Sequence, residues 1–190
     1  MDKYCLPDDY VHRNENAFFD DTPYRDEYQD EVYQAALEQA CTFVDCRVLD
    51  IGTGSGFKLM KYFKDFNTTG VDIEPTLSFL KNKYPSRYWA SFEDITGYYD
   101  LVICSDVIEH IPDADEFLQN ILSIDFETIV FSTPDRESMY GGKSYGPPNN
   151  PAHVREWTMK EFNCYISKYF YVLNHIKVIP NTQICICRKK

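Results

Sequence analysis

No stretch of the chain approaches the roughly 18 consecutive apolar residues needed to cross a bilayer. The first ten residues carry Asp2, Lys3, Asp8 and Asp9 where a secretory signal needs an apolar run. Both absences predict a protein without membrane partners, working in the cytoplasm. Positive charge is scarce: 19 Lys plus Arg stand against 30 Asp plus Glu, a net charge of -11. Such a field repels phosphate backbones and anionic lipid, so nucleic acid partners are disfavoured. The deficit is deepest over residues 8–38, where only Arg13 and Arg25 offset a run of acids. The seven cysteines include no C-x-x-C pair, which leaves neither a zinc nor a dithiol signature and predicts reduced thiols. Cys185 and Cys187 share one face of a predicted strand and are read as packing. There is no internal repeat and no linker rich in Gly and Ser. With 44% hydrophobic and 26% charged residues over 190 positions, the composition is that of one globular domain.

What the chain does contain is alternation. Short apolar runs at 47–51, 69–73, 88–92, 101–105 and 128–132 are separated by helical patterns at 57–66, 76–84 and 114–122. That order predicts a parallel sheet wrapped by helices. A further helix is predicted over 24–40. Thr158 with Glu161 reads as a capping box, and two last runs, 169–178 and 182–187, read as a hairpin around Pro180 and Asn181. The expected fold class is α/β, doubly wound, with a mostly parallel seven-stranded sheet and a C-terminal antiparallel hairpin. One domain, 1–190, is divided into an acidic arm and helix (1–40), a core (45–132), an insertion rich in turn residues (133–157) and a terminal helix with hairpin (158–190). The arm is either an ordered lid or a mobile segment.

The strongest constellation is Val48-Leu49-Asp50-Ile51-Gly52-Thr53-Gly54-Ser55-Gly56. An apolar strand ends in a glycine turn that brings backbone amides against a ligand at the carboxyl end of the sheet. A dinucleotide site needs G-x-G-x-x-G, whereas the spacing here is G-x-G-x-G, with Asp50 two residues before the first glycine. That carboxylate repels pyrophosphate and suits an ammonium group. The second run ends in Asp72, placed to accept hydrogen bonds from ribose hydroxyls. On these residues the chain resembles the class I S-adenosylmethionine-dependent methyltransferases, whose fold is Rossmann-like. The resemblance implies S-adenosyl-L-methionine as cofactor. It assigns Asp50, Gly52, Thr53, Gly54 and Gly56 to the glycine turn, Asp72 and Ile73 to the ribose, and Ser91, Phe92 and Glu93 to the adenine. The family often has an acid where Ser91 stands, so backbone contacts are implied there.

The segment from Tyr99 to Asp113 resembles the fourth-strand motif of the same family, in the subgroup of small-molecule methyltransferases whose motif ends in Glu-His. It places the Cys104 carbonyl at the cofactor amine and the turn 105–110 beneath the methyl group. Methyl transfer from a sulfonium gains mainly from alignment, with a base helping a hydroxyl acceptor. His153, on a loop at the strand ends, is the preferred catalytic residue, and His110 the second candidate. His175 is read as structural, and His12 has no argument beyond its type. The first reading uses no metal. It assigns methylation of a small polar acceptor, a hydroxyl of a sugar, glycan precursor or nucleotide sugar, with Arg136, Lys143 and Arg155 as phosphate contacts or loop ion pairs. In an alternative, Asp106, Glu109, His110 and His153 resemble the metal-binding set of methyltransferases that modify the terminal 2′-hydroxyl of small RNAs, although Asp106 stands where that family has Glu. A third reading is a cofactor-binding module without turnover.

Overall fold

In the computed structural model, residues 1–15, 17–23, 29–141, 144–178 and 180–190 are described. The β-branched and aliphatic run of β1 (Arg47–Ile51) is buried at every position after Arg47, as expected of a strand flanked by strands and covered on both faces. It pairs in parallel with β2 (Asn67–Val71) and with β4 (Tyr98–Ser105), while β2 pairs in parallel with β3 (Tyr88–Ala90). After β5 (Asp125–Pro134), β6 (Phe170–Val178) and β7 (Thr182–Lys189) pair antiparallel, with an irregularity between Val172 and Asn174. The sheet has seven strands in the order β3-β2-β1-β4-β5-β7-β6, which is the predicted class. The helices are α1 (Asp30–Ala40), α2 (Phe57–Tyr62), α3 (Thr76–Lys83), α4 (Ala114–Ser123), α5 (Arg136–Tyr140) and α6 (Met159–Ile166).

Two compact units arise from this chain. One comprises Asp20–Ser105 and Ser123–Val130. Its core joins Val48, Leu49 and Ile51 to Val32 and Ala36 of α1, Leu59 of α2, Leu80 of α3 and Trp89. The other comprises Met1–Phe19, Asp106–Leu122 and Phe131–Lys190. There Trp157 stacks on Tyr165 with ring centroids 5.7 Å apart and donates its indole N–H to the Tyr4 carbonyl. In β7 the Sγ atoms of Cys185 and Cys187 lie 3.5 Å apart, both buried and unoxidised.

Several boundaries differ from the sequence reading. The second strand ends at Val71 rather than residue 73, because the Val71 carbonyl accepts from the amides of Gly52 and Thr53 and the chain turns there. The third ends at Ala90, and Phe92–Asp94 forms a single 3-10 turn spanned by the Ser91 hydroxyl donating to the Asp94 carboxylate. The first helix begins at Asp30 behind Gln29 in a left-handed conformation; Tyr24–Tyr28 lie outside the described residues. The insertion contains α5, capped by the Asp135 side chain accepting from the Glu137 amide. The predicted capping box of α6 is present, Thr158 and Glu161 exchanging hydrogen bonds. Residues 1–15 and 17–19 pack in part on the unit to which they belong. Tyr4, Leu6 and Tyr10 are buried, and the amides of Val11, Arg13 and Ala17 donate to the carbonyls of Tyr145, Val154 and Pro151.

Candidate active site

Within the first unit, the turn after β1 is built from three glycines with positive φ: Gly52 at 73°, Gly54 at 56° and Gly56 at 71°. Only residues without Cβ adopt that succession cheaply. Asp50 is fully buried beneath it and accepts hydrogen bonds from the hydroxyls of Tyr33 (3.0 Å) and Thr53 (2.7 Å). Burial pushes its carboxyl up to about 6, against those two hydrogen bonds. Asp72, just past β2, accepts from the Gly54 amide at 2.8 Å and from its own neighbour Ile73 at 2.8 Å. Burial raises it too. Ile73 is 65% exposed and offers an apolar surface beyond that acid.

The structure thus brings Asp50, Gly52, Thr53, Gly54, Gly56 and Asp72 together at the carboxyl ends of β1 and β2. Thr53 serves there by holding Asp50. Ser91 spends its hydroxyl on Asp94, Phe92 and Glu93 lie in the adjoining 3-10 turn, and Cys104 is buried in β4. Two residues of this unit were missed by sequence reasoning. Tyr33 reaches Asp50 from α1, and Asp21 lies against Gly54, where an added Cβ would fall 1.8 Å from its Oδ2. Neither is marked by local spacing.

The second unit gathers Glu109, His110 and His153, whose ligating atoms all lie within 4.8 Å of one another. Glu109 is fully buried; its Oε2 accepts from the Thr133 hydroxyl at 3.0 Å, while its Oε1 has no hydrogen-bond partner among the described residues. Burial, and then the charge of Asp106, drive its carboxyl well above the usual range. His110 donates from Nδ1 to the Ala152 carbonyl at 2.9 Å, leaving Nε2 as a lone pair, and burial lowers it to about 4. His153 Nδ1 lies 2.6 Å from Glu156 Oε1, and its Nε2 faces the Asn150 amide at 3.0 Å. The two imidazoles meet edge to face at 4.7 Å. Carboxylates behind imidazoles fix the tautomer that a metal ligand requires. Asp106, with φ of 50°, receives the Ser132 hydroxyl at 2.6 Å and stands outside the three-residue cluster. The donor set, one carboxylate and two imidazoles, fits a divalent cation. Thr133 was not anticipated, and Glu156, which opens the Glu-Trp-Thr after His153 that also fits the methyltransferases of small RNAs, was not expected as the partner of His153 Nδ1.

Other expectations fare differently. Arg136 is buried in a two-point pair with Glu161 (2.7 and 2.8 Å), and Arg155 is buried with its guanidinium on the carbonyls of Ile111 and Pro112. These two are therefore structural and not phosphate contacts; Gly142 and Lys143 lie outside the described residues. His175 bonds Gln183 and His12 bonds Asp2, as structural residues do.

A family model described as "Methyltransferase domain" matches residues 24–185. The chain belongs to the methyltransferase domain family. The resemblance drawn from Asp50–Gly56 and Asp72 is thereby borne out. The ubiquinone biosynthesis O-methyltransferase of Rickettsia bellii is 32% identical to this methyltransferase domain over 88 residues, covering 41% of this chain and 37% of that protein. The match thus spans little more than a third of those curated relatives. Among solved structures, PH0226 from Pyrococcus horikoshii OT3 superposes with a TM-score of 0.69 at 15% identity, covering 90% of this chain and 94% of that one. The methyltransferase domain of bacterial CtHen1-CN superposes with a TM-score of 0.65 at 21% identity, over 86% of this chain and all of that one. These likenesses are of fold. Among the described residues, no helix of this methyltransferase domain is long and apolar enough to cross a membrane.

Proposed function

We propose that this domain transfers a methyl group from S-adenosylmethionine to a hydroxyl of a small, sugar-like acceptor, and that Glu109, His110 and His153 hold a divalent cation for the acceptor. One observation carries the cation: a fully buried carboxylate oxygen of Glu109 is left without a hydrogen bond beside two imidazoles. An orphaned buried acceptor is costly, and a bound cation satisfies it. When bound, the cation polarises a hydroxyl and lowers its pKa. The cofactor supplies an electrophilic methyl on a sulfonium. The chain's residues do the rest. Asp50, held by Tyr33 and Thr53, makes the glycine turn acidic towards a cationic ligand; Asp72 faces the ribose; Glu156 keeps the His153 proton on Nδ1.

The acceptor class is supported by the segment around α5, where Tyr140 and Tyr145 are exposed beside Asn149 and Asn150, a mixture of rings and amides suited to a polyhydroxylated ring. The net charge of -11 speaks for a small acceptor over an RNA chain. The cation set favours the RNA reading to this extent: a terminal ribose also offers a hydroxyl with a neighbouring hydroxyl. A metal-free reading, with His153 as base oriented by Glu156, is favoured by their 2.6 Å contact.

The test is methyl transfer from labelled S-adenosylmethionine to glycosides and to an RNA with a free 2′,3′-diol end, with and without EDTA. The reading expects transfer to a glycoside, lost on chelation and restored by Mg²⁺ or Mn²⁺. Transfer insensitive to chelation but abolished by His153→Ala assigns the base mechanism; transfer confined to the RNA overturns the small acceptor.

A further inference from the structure

Asp21 sits where no family residue was expected. Its carboxylate lies where a side chain on Gly54 would stand: an added Cβ there would lie 1.8, 2.5 and 2.8 Å from Oδ2, Cγ and Oδ1. The contact depends on Gly54 having no side chain, and on a φ of 56° that turns its Cα face towards the acid. The preceding residue is used locally, since Asp20 Oδ1 takes the amide and hydroxyl of Thr22 at 3.1 and 2.7 Å. That small turn presents Asp21, not Asp20, to the cradle.

On the other side of the same turn, Asp72 accepts the Gly54 amide, and Asp50 lies buried beneath. Three carboxylates therefore surround one glycine turn. Among the described residues, none of the ion pairs formed involves Asp21; its own backbone amide and the charge of Lys58 favour its charged form. Burial and the charge of Asp72 push Asp21 up to about 6. Like charges gathered out of water are unfavourable until a cation joins them. Asp72 accepts the amides of Gly54 and Ile73 and is the acid read above as the ribose partner, so a further carboxylate at the turn gains most from a positive group.

We propose that Asp21, delivered by the N-terminal segment, binds the α-ammonium of the cofactor against the Gly54 face of the turn. This rests on the cofactor reading above. The ammonium is the positive group that S-adenosylmethionine and its product S-adenosylhomocysteine share, so one acid serves before and after transfer.

The experiment is calorimetric titration of the full chain with S-adenosylhomocysteine and with 5′-methylthioadenosine, which lacks the aminoacyl chain. Asp21→Asn is expected to weaken S-adenosylhomocysteine by about ten- to a hundredfold, the range for a hydrogen bond to a charged group. It should leave 5′-methylthioadenosine within about twofold, as neutral contacts are untouched. Asp21→Ser supplies the same loss of charge should the Asn variant melt early. Equal weakening of both ligands, or unchanged binding of both, overturns the role. Tighter binding by either variant shows a plug that the cofactor must displace. If the unsubstituted chain binds neither ligand, the cofactor reading falls and this inference with it.

Discussion

A carboxylate removed from water reports its surroundings through its proton. Asp50 is fully buried, and burial outweighs the hydrogen bonds of Tyr33 and Thr53, so its carboxyl rises from 3.8 to about 6. Because the folded-state value lies above the ordinary one, its contribution to stability is complete below about pH 4 and is lost as pH rises through 6. The cofactor-free protein is therefore predicted to be least stable, relative to Asp50→Asn, at neutral pH. The gap in unfolding free energy should grow from pH 4, reach on the order of 3 kcal/mol and level off above pH 6.5. Denaturant titrations across that range check it; a gap independent of pH contradicts it. On the other unit, Glu156→Gln keeps the size of the side chain and removes the charge behind His153 Nδ1. It should lower Mn²⁺ affinity roughly 10- to 100-fold, as losing such a support does in metal sites. Unchanged affinity on titration would detach Glu156 from the cluster.

At the scale of elements, local signals were readable and distant ones were not. The β1 turn was legible because glycine spacing and the acid before it are consequences of the turn's own backbone, and the α6 cap because Thr158 and Glu161 answer each other within one helical turn. Tyr33 and Asp21 were not, since each reaches the turn from an earlier segment through folding alone. Likewise Glu109, His110 and His153 could be picked out by type, but that Glu109 Oε1 is unpartnered and Asp106 stands aside needed three dimensions. Glu161 holds both the Thr158 amide and Arg136. The element-scale prediction separates those duties: Thr158→Ala should cost about 1 kcal/mol, the usual worth of a cap. Arg136→Ala should cost about 3–5 kcal/mol by leaving a buried carboxylate unpaired. Thermal unfolding of the two variants ranks them; equal losses would mean that the ion pair adds nothing beyond the cap.

For the whole molecule, the acidic balance and the N-terminal segment matter most. Tyr4, Leu6 and Tyr10 are buried, and Arg13 donates to the carbonyls of Pro148 and His153. Residues 1–13 are thereby packed into the unit that holds His110 and His153. Removing residues 1–13 is predicted to destabilise the fold by several kcal/mol, since each buried ring or aliphatic side chain contributes roughly 1.5–3 kcal/mol. A melting temperature left unchanged would contradict that packing. The account as a whole depends on a cation between one carboxylate and two imidazoles. The most direct measurement is titration of Mn²⁺ into the metal-stripped protein followed by electron paramagnetic resonance. The account predicts one bound ion per chain, lost in both His110→Ala and His153→Ala; a signal of free Mn²⁺ at every ratio, or binding indifferent to both histidines, would contradict it.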